Sequence, residues 1–150
     1  MCVSLKTIEL EYYLNFSSAL FTFIAGMLSI YFYGVYSNIF SYDQKIIPRF
    51  FRLSSGECTA IIDSSFGRLA GAPNALLGSI YLVIHTALLI ASAYKIIDQI
   101  IPFSLSVASL IIGIYLIYGL IKLKIKCRIC ISVHIINFTV FFLQIPLITI

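Results

Sequence analysis

Four apolar runs, each close to 20 residues long, decide what this 150-residue chain can fold into. They lie at about 14–37, 73–94, 100–121 and 127–148. A hydrocarbon core about 30 Å thick needs roughly 20 consecutive apolar residues in a helix. Lipid offers no water to bond the backbone, so a spanning segment must satisfy its own N–H and C=O groups, as a helix does. Hydrophobic residues make up 61% of the chain and charged residues only 11%, against roughly 25% charged in a soluble domain. One small core cannot bury that much apolar surface. The expected fold is all-α: a four-transmembrane-helix bundle forming a single integral membrane domain over residues 1–150. No basic stretch interleaves with aromatic and polar residues, so nucleic acid is not an expected partner. The N-terminus, MCVSLKTIELEYY, carries two acids. The run behind it is longer than an h-region of about 7–15 residues, so the first span is expected to stay in the mature protein. The expected location is the cell membrane, multi-pass, with lipid as the surrounding partner.

The connections are unequal. Short links join the second span to the third, around Lys95 and Asp98, and the third to the fourth, through KLKIK. The first and second are separated by residues 38–72, and a loop of that length in a compact chain is usually functional or disordered. Its apolar patches IIPRFF and TAIID suggest a short helix lying on or dipping into the membrane interface. Pro73 is expected at the first helical position of the second span, where its missing N–H is tolerated. Antiparallel spans sort the connections onto two faces. Cys58, Cys127 and Cys130 then share one face, while Cys2 lies on the other and cannot reach them without crossing the bilayer.

The fourth span opens on KCRICISVHIINF, with Cys127 and Cys130 three residues apart. Such a pair can be incidental, a metal clip or a redox couple. Zinc usually takes four ligands; only Cys58 and His134 are available to complete a set, and His134 sits a turn down the span, so no metal is expected. A helix N-terminus carries partial positive charge and free N–H groups. Lys124, Lys126 and Arg128 add full charges, and such surroundings favour a nucleophilic thiolate. Thiol exchange is a relay that needs a further sulfur, and Cys58 on the same face offers one. His134 lies one helical turn after Cys130 on the same face. Small residues at Gly71, Ala72, Ala75 and Gly78 permit close packing of helices and ligand. His85, in a span without a motif around it, is expected to serve helix packing.

The stretch ECTAIIDSSFGRLAGAPNALLGSIYL, followed after a helix pair by CRICISVHIINF, resembles the vitamin K epoxide reductase family, in particular its prokaryotic disulfide-generating quinone reductases. The likeness extends over roughly residues 14–145. It implies a four-helix bundle around a quinone, capped by a short helix from the first loop. The resemblance implies that Cys130 is the thiol that reduces the quinone, that Cys127 is its partner and exchange point, and that Cys58 delivers electrons to Cys127. It implies that Asn74 hydrogen-bonds a quinone carbonyl, that Ser64 and Ser65 flank the site, and that Phe66 caps the ring. The cofactor implied is a quinone of ubiquinone, menaquinone or related type, used as co-substrate from the membrane pool. The protein partner implied is a thioredoxin-like thiol donor.

Two departures from the family pattern stand out. Most members carry a second loop cysteine about eight residues earlier, where this chain reads RFFRLSSGEC. A shuttle disulfide within the loop is therefore impossible, and the expectation is a Cys58–Cys127 disulfide attacked directly by a partner's thiol. The other is His134, where the family often has a Tyr facing the quinone; an imidazole there can donate a hydrogen bond or pass a proton. The missing cysteine also leaves open a non-catalytic or redox-sensing membrane partner protein. Charge adds a conflict over orientation. The cysteine face carries Lys45, Arg49, Arg52, Arg68, Lys122, Lys124, Lys126 and Arg128, and the other only Lys6 and Lys95. The positive-inside rule turns the cysteine face to the cytoplasm, whereas family precedent turns it outward.

Overall fold

The computed structural model describes residues 2–41, 47–53 and 60–149, with side chains from residue 7 onward. Four long helices dominate it: α1 (Cys2–Tyr36), α3 (Asn74–Ala93), α4 (Ile100–Lys122) and α5 (Arg128–Thr149). Each contains a stretch long and apolar enough to cross a membrane, as expected for an all-α membrane bundle. Their outward faces are apolar; Ile111, Ile114, Ile121, Ile135, Phe138 and Phe142 are all exposed.

The first helix differs most from the sequence-based boundary. It starts at Cys2 rather than near residue 14, giving about 52 Å of helix at roughly 1.5 Å per residue. The preceding segment holds Leu5, Lys6, Glu9, Leu10 and Glu11, all strong helix formers, and its three charges offset the hydropathy of its leucines. Hydropathy marks where lipid lies, whereas the helix continues past it. On the far side of the bundle, Lys95 forms an ion pair with Glu11, tying the α3–α4 link to this extension.

Inside the bundle, α1 packs most extensively on α3 and then on α5, α4 packs on α5, and α3 and α4, though joined in sequence, touch only lightly. The inward stripe of α1 explains this order. Asn15, Ser18, Thr22, Ala25 and Ser29 recur at spacings of three and four residues, and all are buried. Side chains this small let neighbouring backbones approach closely. The space between α3 and α4 is correspondingly wide.

The first loop closes the cysteine end. A 3-10 turn at Arg49–Phe51 precedes the one-turn helix α2 (Ala60–Asp63). The patch TAIID thus gives the short helix expected of the loop. The apolar side chains of α2 point into the bundle: Ile61 and Ile62 are buried in the main core cluster with Phe32, Leu82 and Ile129. Tyr36 donates to Asp63 at 2.9 Å, and Arg68 reaches both of them. Strands β1 (Arg68–Leu69) and β2 (Ala72–Pro73) then form a minimal antiparallel hairpin. Its two turn residues, Ala70 and Gly71, both have positive φ, 52° and 84°, as a type I′ turn requires. Nothing lies within 4 Å of a Cβ built on Gly71. Its role is therefore the turn conformation and not the close packing expected for it. Pro73 ends β2 and is the N-cap of α3 rather than its first helical residue.

Three helix C-termini share one device. The residues Asn38, Lys95 and Lys124 follow the caps of α1, α3 and α4, with φ between 55° and 58°. In each case the next residue is an isoleucine whose N–H returns to the carbonyl five residues back: Ile39 to Gly34, Ile96 to Ala91, Ile125 to Leu120. These are Schellman motifs, in which glycine usually occupies the left-handed position. A lysine in that conformation costs roughly 1–2 kcal/mol. Lys124→Gly is therefore expected to stabilise the protein by about 1 kcal/mol, raising its unfolding midpoint in detergent. An unchanged midpoint would show that the lysine is not strained there.

Candidate functional site

The gap between α3 and α4 continues inward as an apolar cavity of about 290 Å³. Its roof is α2 and the hairpin, through Ile61, Ile62 and Leu69. Its walls come from all four long helices, with Phe32 from α1, Leu82 from α3, Leu116 from α4 and Val133 from α5. Ile112 and Leu69 are exposed as well as lining, so the cavity reaches the outer surface of the bundle.

Three expected site residues meet on its wall: Asn74, Cys130 and His134. Cys130 carries a free thiol. Its neighbour Cys127 is fully buried and disulfide-bonded. The spacing of the pair has a local structural meaning. Cys127 immediately precedes α5, and its Sγ accepts the Cys130 N–H at 3.4 Å. That is the position in which an N-cap side chain satisfies the third N–H of a helix. One cysteine therefore caps the first turn, and the other projects from that turn into the cavity. Cys58 lies outside the described residues.

Asn74 opens α3 just after β2. Its Nδ2 donates to the Phe66 carbonyl at 2.6 Å, and its backbone N–H donates to the Gly67 carbonyl at 2.8 Å. The loop thereby fixes the asparagine beneath the roof, with a second Nδ2 hydrogen still to donate. His134 packs close to α4 at Gly113, where a Cβ would lie 3.0 Å from Nδ1. This Nδ1 is buried and has no hydrogen-bond partner.

The other expected residues do not line the cavity. The Ser64 hydroxyl donates to the Ile61 carbonyl at 2.6 Å and accepts the Gly67 N–H at 3.2 Å, which shapes the turn after α2. Ser65 is exposed. Phe66 turns its ring onto α4, against Tyr115 and Tyr118, with the Lys122 ammonium 5.6 Å from its centroid. Gly119 makes room for that ring; a Cβ there would come within 2.6 Å of Phe66 Cγ. Phe66 touches the cavity's chemistry only through its carbonyl and Asn74.

Sequence reasoning missed four polar wall residues, Ser29, Tyr81, Ser109 and Asn137. Two of them lie seven residues after a recognised one, Tyr81 after Asn74 and Asn137 after Cys130, so the two-turn helical repeat was an available signal. The Tyr81 hydroxyl donates to the Leu105 carbonyl, bridging the gap between α3 and α4. His85, one turn further on, meets the Pro102 carbonyl at 3.1 Å and Ser106 Oγ at 3.3 Å. These contacts give His85 the helix-packing role expected for it.

A helical bundle with a roofed apolar cavity and a free thiol on its wall defines a class of multi-pass membrane protein built around a buried sulfur site. The model of the vitamin K epoxide reductase family matches residues 16–145, and the chain belongs to that family. Neither a curated protein nor a solved structure matches it significantly. Members of the family are generally oxidoreductases, and membership implies a membrane redox reaction that involves thiols and a quinone.

The Phe66–Gly119 contact generates a prediction about the roof. Gly119→Ala should destabilise the protein by about 1–3 kcal/mol through overpacking. In Phe66→Ala the added methyl should cost much less, because neighbours that share a contact are not additive. Equal costs in both backgrounds, read from thermal unfolding, would show that the ring is not held there.

Proposed function

We propose that the protein is a thiol:quinone oxidoreductase that generates disulfides in a thioredoxin-like partner. The observation that carries this reading is the free thiol of Cys130 on the wall of an apolar cavity, beside the buried, disulfide-bonded Cys127. The cavity suits the flat apolar ring of a quinone. Asn74 supplies a donor for one ring oxygen. His134, whose Nδ1 is unpartnered, supplies a second donor or a route for a proton. Preorganised donors act more strongly in a dry cavity than in water. When bound, a quinone accepts two electrons and two protons.

The protein's own sulfurs give a balanced cycle if Cys127 is paired with Cys58. A partner thiolate attacks Cys58 and expels Cys127 as a thiol, leaving a mixed disulfide with the partner. The partner's second thiol resolves it, so the partner departs oxidised and Cys58 is a thiol again. Oxidation of Cys127 and Cys130 to a disulfide then releases the electron pair to the quinone. Cys58 attacks Cys127, expels Cys130 and restores the starting state. A single loop cysteine is sufficient for this cycle, because the partner's second thiol resolves the mixed disulfide that a second loop cysteine would otherwise resolve.

The cysteine face is read as cytoplasmic, on the ground that it holds eight of the ten Lys and Arg residues. Disulfide formation there suits the disulfide-rich interiors known among hyperthermophiles. In a Cys127→Ser variant, which leaves Cys58 as a thiol in that pairing, strong labelling of Cys58 from outside intact cells by a membrane-impermeant thiol reagent would reverse that assignment.

Purified protein given a reduced thioredoxin-like donor and a quinone is expected to bleach the quinone absorbance. Cys130→Ser should reduce the rate to background, and Cys2→Ser should leave it intact. A donor lacking its resolving cysteine should be trapped on Cys58. A trapped adduct on neither Cys58 nor Cys127 would reject the relay, and no turnover by wild type with any quinone would favour a redox-sensing partner protein instead.

A further inference from the structure

The interior of the bundle holds more unpartnered polar groups than the thiol chemistry uses. On the face opposite the cysteines, a second cavity of about 420 Å³ opens among Glu11, Asn15, Ser92, Lys95, Asp98 and Gln99. Two groups at its inner wall, Asn15 Oδ1 and Gln99 Nε2, are buried without a hydrogen-bond partner. Deeper in, Ser18 Oγ and both amide atoms of Gln144 are also unpartnered, and both residues are 0% exposed. Deeper still come His85 Nδ1 and His134 Nδ1. Buried polar groups are normally paired with protein or ordered water, and such waters typically make about three hydrogen bonds each.

These groups are not scattered. On α1, Asn15 lines the polar cavity and Ser29 the apolar one, with Ser18 and Thr22 on the same stripe between them, over roughly 21 Å at 1.5 Å per residue. On α5, Leu147 lines the polar cavity and Asn137 the apolar one, with Gln144 between. On α3 the same pair of positions is Ser92 and Tyr81, with His85 and Thr86 between. One apolar layer crosses the column, where Ala19, Leu89 and Val140 pack together. Ser18 and Gln144 flank that layer on the polar-cavity side, and Thr22 and Asn137 on the other.

We propose that this column is a hydrated proton-entry track, leading from the face opposite the cysteines to His134 at the thiol cavity. The inference rests on the thiol:quinone reading above. Oxidation of the partner dithiol releases two protons and two electrons at the cysteine face. The electrons pass through the sulfurs, and the two protons that complete the hydroquinone enter from the opposite face. Glu11, Lys95 and Asp98 set the charge at the mouth. Inside, His85, His134 and Tyr81 are the titratable groups facing the column. Gln144 is a positioning residue that holds water at the apolar layer.

The test uses full-length protein in proteoliposomes with a naphthoquinone in the bilayer and pyranine trapped inside. Reduced thioredoxin, added outside, cannot cross and therefore drives only molecules whose cysteine face is outward. The interior is expected to become alkaline by two protons for each quinone reduced. Gln144→Leu should lower both the turnover and the interior pH change by about a hundredfold, the low end of what proton transfer contributes. Its unfolding temperature should not fall below that of wild type, because leucine fills similar space without burying an amide, so that lost turnover is not lost folding. Wild-type quinone reduction with no interior pH change overturns the track while leaving the thiol:quinone reading intact. Unaltered turnover and pH change in Gln144→Leu also overturn it. Absence of quinone reduction by wild type removes the reading on which the track depends.

Discussion

The close approach of α1 to its neighbours organises the rest of this molecule. In lipid, apolar burial provides little drive for helices to associate, so they pack through fit and through polar contacts. The stripe Asn15, Ser18, Thr22, Ala25 and Ser29 provides both, drawing α3 and α5 onto α1. With α4 held chiefly by α5, the space between α3 and α4 stays open. The apolar cavity is therefore a consequence of where the small residues of α1 lie, and of these only Ser29 lines the cavity itself. The few contacts that cross the gap are polar and directional: Tyr81 to Leu105, and His85 to Pro102 and Ser106.

Above the cavity, a chain of local contacts sets the position of Asn74. Gly119 admits the ring of Phe66, and Lys122 covers that ring. The Phe66 carbonyl then holds the Asn74 amide, while the hairpin delivers Asn74 to the start of α3. An aromatic residue on the loop thus governs a polar group on the cavity wall without touching the cavity. Across from it, the N-cap geometry of Cys127 aims Cys130. The two ends of the site are positioned by the same kind of feature, the first turn of a helix.

Much of this was legible in the sequence, for identifiable reasons. Four spans follow from hydropathy, since lipid imposes one length on every crossing helix. Helical spacing places His134 on the same face as Cys130, and the family resemblance adds Asn74 to them. The start of α1 was hidden because Lys and Glu propagate a helix without any hydropathy signal. The direction of the Phe66 ring was hidden because it depends on a glycine 53 residues later in the chain, and nothing local to SSFG encodes that. Gly71 carried an ambiguous signal: a glycine beside alanines reads as close packing, whereas its φ of 84° assigns it to the turn. Tyr81 and Asn137 were readable from their seven-residue spacing to known site residues, but required the cavity to give that spacing a purpose.

The polar interior has an energetic implication of its own. Leaving a buried donor or acceptor unpaired costs about 1–3 kcal/mol, and a leucine at Gln144 would avoid that cost while filling similar space. A bundle that only needed to hold a ring and two thiols would gain stability by such replacements. Yet the unpartnered groups run in register on α1 and α5, and they join a polar cavity at one face to a sulfur site near the other. In the proposed cycle thiol exchange is served at the loop end, where sulfurs and cations gather, and proton supply at the opposite end, where Glu11 and Asp98 line the polar cavity. Separating the two entrances would keep the mouth of the proton route away from the loop end, where thiolates must attack disulfides, because a thiolate that takes up a proton is no longer a nucleophile.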